Sequence, residues 1–164
     1  MWGLMIICYF CMGISLCLIF ITGLQGYYQF IIFKAHHQQF ALFSTIFYMF
    51  SETLIMFYFI GSGTAIKKEV MSSKHLISSY KKVKKTKMIL FPHLTLNMFI
   101  IGLVFILGGA VETGSISGMT HGLLFIVGFI HFLYTIRIQH IGFKENINII
   151  VELADLTKPK SVVS

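Results

Sequence analysis

Residues 36–68, HHQQFALFSTIFYMFSETLIMFYFIGSGTAIKK, decide what kind of molecule this chain is. The stretch is long enough to cross a bilayer, since a transmembrane helix needs about 20 predominantly apolar residues. Yet it opens on two histidines and carries a carboxylate, Glu52, inside its apolar run. At helical spacing His37, Ala41, Ser44, Tyr48 and Ser51/Glu52 fall on one stripe, while Leu42, Ile46, Phe50, Leu54, Phe57 and Ile60 lie mostly elsewhere. An unsatisfied polar group in hydrocarbon is costly, so such a stripe turns inward. Other segments must then supply its partners.

The chain around this stretch fits that demand. Of its 164 residues 56% are hydrophobic and 12% charged, with a mean hydropathy of +0.82. A soluble domain carries about 25% charged residues. Uncharged stretches cover 1–33, 35–51, 53–66, 88–111 and 113–136, separated by single charges or by short charged segments. The expected fold is an all-α integral membrane domain over 1–164, four transmembrane helices in an antiparallel bundle. The spans are read at about 4–21, 37–60, 92–112 and 121–137, with a polar C-terminal tail over 138–164. Gly61-Ser62-Gly63 reads as the end of span two or, equally, as a glycine step packed against another helix, and Phe91-Pro92-His93 as the start of span three, where proline suits a first turn. Residues 113–120, TGSISGMT, read as a short turn. The N-terminal span has no basic region ahead of it and no small-residue cleavage pattern, and reads as uncleaved.

The net charge of +7 would suit nucleic acid, but its placement does not. Eight of the 13 basic residues lie between Lys67 and Lys87, directly between two spans. That is the mark of a cytoplasmic loop under the positive-inside rule. It puts both termini on the cytoplasmic side (N-in, C-in), together with Arg137, Lys144, Lys158 and Lys160, and leaves only Lys34 outside. The setting is a plasma-type membrane, bacterial or organellar inner. Val70, Leu76, Ile77, Tyr80 and Val83 give the basic segment a weak amphipathic face, and its lysines suit anionic lipid headgroups. No basic surface with readers is left over for nucleic acid.

Spans three and four repeat the oddity of span two. His93, Asn97, Val104, Gly108 and Glu112 share one face, and His121, Leu124, Gly128, His131 and Thr135 another. Span one offers only Ser15 and small residues, and reads as the lipid- or partner-facing helix. Its Cys8, Cys11 and Cys17 read as compact packing residues. The topology sorts the polar groups by depth, with His36, His37, Glu112 and His121 at the outer boundary. Tyr48, Glu52 and His131 lie deeper, His131 about 15 Å below His121 at 1.5 Å per residue.

The outer group admits three readings. His37 and His121 can ligate a b-type haem, with Gly128 giving room for the macrocycle. His36, His37, Glu112 and His121 can instead hold a divalent transition metal. Or the histidines simply cap helix ends. The intramembrane Glu52 is a functional residue by default, as a protonated carboxyl bonded to Tyr48 or His131, a proton relay or half of a buried pair. Purely structural interhelical hydrogen bonding is the competing reading. Walker, dinucleotide, HExxH and serine-elbow motifs are absent, which favours a non-catalytic role. In general plan the chain is similar to the cytochrome b-type membrane anchors of respiratory complexes, a likeness of architecture alone. Three functional expectations follow. The first is a non-catalytic membrane subunit or accessory of a larger complex, an electron-transfer one, working with other membrane subunits. The second is a small transporter or metal-handling protein using the outer cluster with Glu52 and His131. The third is a ligand-free assembly factor.

Overall fold

A computed structural model describes residues 2–72 and 77–157, with side chains over 2–69 and 80–154. Four helices carry the chain: α1 (Trp2–Tyr28), α2 (His37–Ser72), α3 (Ile77–Glu112) and α4 (Gly118–Thr157). All four are long and apolar enough to cross a membrane.

The helices share one buried period. On α1 the buried residues are Met5, Met12 and Ile19, interleaved with Cys8, Ser15 and Thr22. On α2 they are Ser44, Ser51 and Tyr58 with Tyr48, Ile55 and Ser62. On α3 they are Val83, Leu90, Asn97 and Val104 with Leu94 and Ile101, and on α4 Phe132, Gln139, Asn146 and Leu153 with Thr135 and Ile149. Each set advances in steps of three and four, a heptad. That 3.5-residue period keeps one seam of each helix facing its neighbours.

The apolar core is layered along the bundle. Ile19, Tyr48, Ile101 and Phe132 form one layer from all four helices. Met5, Cys8, Met12, Ile55, Tyr58, Phe59, Leu90, Leu94 and Phe143 form a second. Ile66, Val83, Ile149 and Leu153 form a third, to which α1 contributes nothing.

Several expectations are corrected here. Span one is not a bare outer helix: it buries Gln25 and Ser15 as completely as any core residue, because small side chains let it lie close along α2. Its helix continues through the expected connection to Tyr28. Gly61-Ser62-Gly63 does not end α2, which continues to Ser72. A Cβ on Gly63 would run into the Lys87 side chain, so the glycine is where the lysine stem crosses α2. The basic segment is not a loop over its described part. It forms the end of α2 and the start of α3, and Pro92 lies inside α3 rather than in its first turn. Proline there removes one donor from the helix ladder, tolerable on an exposed face. The tail read as polar continues α4 to Thr157, since Gln139, Asn146, Ile149 and Leu153 carry the heptad on. Val70, Leu76 and Ile77 of the amphipathic face, and Lys158 and Lys160, lie outside the described side chains.

The turn between α1 and α2 is unusual. Ile32 and Ala35 bridge each other through two backbone hydrogen bonds of 2.7 and 3.2 Å, with Phe33 and Lys34 at the tip. Both tip residues have positive φ, 49° and 66°, a conformation that favours glycine or asparagine. Gln25 holds the strained turn from below, its Nε2 donating to the carbonyls of Phe30 (2.9 Å) and Ala35 (3.0 Å). Lys34→Gly is therefore expected to stabilise the protein by about 1 kcal/mol. A thermal unfolding midpoint lower than that of the unmodified chain would contradict the strain.

Candidate functional site: the buried polar seam

The heptad puts polar side chains at core positions on every helix, and the structure pairs them across helices. Nearest the α1–α2 turn, Thr22 donates to Ser44 (2.9 Å), and each hydroxyl also reaches back to a carbonyl four residues earlier, Leu18 (2.7 Å) and Phe40 (2.8 Å). Next comes a three-helix link. Tyr48 donates to Asn97 Oδ1 (2.6 Å), and Asn97 Nδ2 donates to the carbonyl of Gly128 (3.0 Å). One turn further along α2, Gln139 Nε2 donates to Glu52 Oε2 at 2.5 Å. Beyond that, Asn146 Nδ2 donates to Tyr58 (3.2 Å) and to Ser62 (2.8 Å). Tyr9 Oη lies 2.8 Å from His140 Nδ1, and Thr86 donates to Glu145.

The expected deep group of Tyr48, Glu52 and His131 is thus divided among three partners. His131 lies not on Glu52 but beside His93, their ring nitrogens 3.4 Å apart, with Tyr134 edge-on to His93. Asn97 is the junction of the seam, and Gln139 and Asn146 are the partners that sequence reasoning left in the tail. Their signal was the heptad itself, which runs unbroken from Phe132 to Leu153.

The outer group divides as well. His36 is exposed, and its backbone N–H is taken by Gln39 Oε1 (3.1 Å), a capping box at the start of α2. His37 lies within electrostatic range of His121 and of Glu112, which is itself exposed. The imidazole of His37 lies over Gly26, where a Cβ would stand 2.9 Å from Cε1, and that of His121 lies over Gly108, at 3.4 Å. Among the described residues no three His, Cys, Asp or Glu side chains are arranged to hold a metal ion.

The room expected at Gly128 is filled: a Cβ there would lie 2.9 Å from Ile100 Cγ2 and 3.2 Å from Ile101 Cδ1. Gly128 is a contact point of α3 and α4. As packed, Gly128 leaves no room for a macrocycle.

One level stands out chemically. Glu52, Gln139, Ser15 and Ser51 are all fully buried. Glu52 Oε1, Gln139 Oε1 and both serine hydroxyls have no hydrogen-bond partner. Gln25 Oε1 and Asn146 Oδ1 are also unpartnered, but among the described residues this level gathers four such oxygens, one of them a carboxylate's.

Comparison with known proteins finds no match to a family model, to a characterised protein or to a solved structure.

Proposed function

We propose that this chain is a non-catalytic integral membrane subunit or accessory protein of a larger membrane complex. It would sit as an antiparallel four-helix bundle with both termini and the Lys67–Lys87 region on the cytoplasmic side. The observation that carries the reading is the mismatch between α1 and its neighbours. Helices of 36 and 40 residues are about 54 and 60 Å long at 1.5 Å per residue, against a hydrocarbon thickness of about 30 Å. Their excess is spent on the side of the third core layer, beyond the end of α1, as a three-helix stem. The stem's base carries exposed Lys67, Lys68, Lys81, Lys82, Lys84 and Lys85, a basic collar suited to anionic headgroups. Above it the positive-inside rule supports the same orientation. A rigid stem on a closed bundle suits docking better than turnover. The electron-transfer form of this reading leans on haem, for which Gly128 leaves no room, so the proposal is made without it.

The test is native purification of the tagged chain in mild detergent. It should migrate with other integral membrane proteins at fixed stoichiometry and be colourless in both oxidised and reduced absorption spectra. Charge reversal at Lys81 and Lys85, both exposed, should weaken retention of anionic lipid with the unfolding midpoint unchanged. A chain that runs alone under every mild condition would sink the subunit reading. A Soret band following His37 or His121 would restore the cytochrome one.

A further inference from the structure

Two polar layers of the seam have the same architecture and different outcomes. In the first, Thr22 of α1 faces Ser44 of α2, and the pair closes on itself and on the Leu18 and Phe40 carbonyls. Seven residues back along α1 and seven on along α2, the heptad sets Ser15 against Ser51, and a further step sets Cys8 against Tyr58 in one core layer. Ser15 and Ser51 are the same kinds of residue at equivalent sites, both fully buried, yet neither hydroxyl has a partner.

On the same turn as Ser51, Glu52 uses Oε2 to accept from Gln139 and leaves Oε1 unpartnered, as is the free oxygen of Gln139. Four buried oxygens from α1, α2 and α4 are therefore unsatisfied at one level. The level is sealed on both sides. Ile19, Tyr48 and Phe132 lie above it, and Met12, Ile55 and Phe143 below. No basic side chain among the described residues pairs with Glu52.

We propose that Glu52, Gln139, Ser51 and Ser15 form a binding site for one desolvated monovalent cation, Na+. A carboxylate buried in an apolar surround needs a compensating positive charge. A proton on Glu52 neutralises the carboxylate and, with the two serine hydroxyls, gives the level three O–H donors, whereas a cation takes all four oxygens as ligands. One carboxylate balances one unit of charge; a divalent ion would leave an excess charge in a medium of low dielectric. The oxygen-only donor set is that of a hard ion, not of a soft transition metal. At 1.5 Å per residue Glu52 lies about 22 Å along α2 from His37, well inside a span.

The experiment uses the full-length chain in detergent at constant ionic strength, with NaCl exchanged for choline chloride. The unfolding midpoint should rise saturably with Na+ by several degrees, as expected of a ligand that binds only the folded state. Equilibrium binding of ²²Na+ should approach one ion per chain. Glu52→Gln, a shape-conserving change, should lose both effects, and so should Ser15→Ala, which leaves the carboxylate in place. Ser44→Ala, in the self-satisfied layer, should keep both. An unmodified chain with neither a Na+-dependent rise nor retained ²²Na+ would overturn the proposal, as would Glu52→Gln binding at full stoichiometry. If Glu52→Gln fails to fold, Ser15→Ala decides.

Discussion

Asn97→Ala is expected to destabilise the folded bundle by about 2–3 kcal/mol, more than other single polar truncations in the seam. Asn97 is the only side chain of the Tyr48–Asn97–Gly128 link that touches both neighbours, accepting from Tyr48 at 2.6 Å and donating to the Gly128 carbonyl at 3.0 Å. It is fully buried, as is Tyr48. Truncation therefore orphans a phenol hydroxyl and a backbone carbonyl at once, and leaves a small void in the core. Single interhelical hydrogen bonds in membranes average about 0.6 kcal/mol with a ceiling near 1.7. Two bonds and the void bring the loss to the upper part of the range. For a chain of this size that is a drop of about 5–10 °C in unfolding midpoint. Tyr48→Phe should cost about 1 kcal/mol, and the double variant less than the two losses added, because the bond they share is counted once. Thermal unfolding of the three variants in one detergent measures this. A loss below about 0.5 kcal/mol for Asn97→Ala would show that the link is ornamental to stability.

The four helices were legible in the sequence because hydrocarbon imposes length and apolarity on any span, and nothing else in 164 residues produces such a pattern. The inward stripe of α2 was legible for a related reason: Ser44, Tyr48, Ser51 and Glu52 have nowhere to go in lipid but the interior, and all four are fully buried. The face of α1 was not legible by that logic. In a membrane both faces of a helix are apolar, so the contrast that marks a buried face in water is gone. What distinguishes the face holding Cys8, Ser15 and Thr22 from that holding Phe10, Cys17 and Phe20 is residue size and the heptad period, not hydropathy. The helix ends were hidden differently. Gly61-Ser62-Gly63 and the lysines after it read as a boundary by the habits of isolated helices. Here neighbouring helices continue on either side, and Ile66 packs against Val83 and Leu153 to carry α2 onward. The partner of Glu52 was missed because Gln139 follows Arg137 in a polar stretch. Only the seven-residue step from Phe132 through Gln139 to Asn146 reveals that it faces inward.

The sharpest contrast the packing predicts lies within α4, between two glycines six residues apart. At Gly128 a Cβ would stand 2.9 Å from Ile100 Cγ2 and 3.2 Å from Ile101 Cδ1, while at Gly122 it would meet nothing within 4 Å. Gly128→Leu should push α3 and α4 apart at their contact. It would break the Asn97 bond to the Gly128 carbonyl and cost more than about 3 kcal/mol, with poor recovery of folded protein. Gly128→Ala should cost about 1–2 kcal/mol, because the Ile100 methyl must give way by a few tenths of an ångström. Gly122→Ala should instead be neutral or stabilising by up to about 1 kcal/mol, since alanine restrains the unfolded chain and favours the helix where no neighbour objects. The sign of the alanine effect thus changes between two sites of one helix with the same residue type and the same secondary structure. Midpoints measured for Gly122→Ala and Gly128→Ala in parallel decide the matter. If both stabilise, α3 and α4 do not meet at Gly128, and a ligand in the space beneath it becomes tenable again. If only Gly122→Ala does, the space is occupied by Ile100, and the seam through Asn97 holds the two helices at the distance of a glycine.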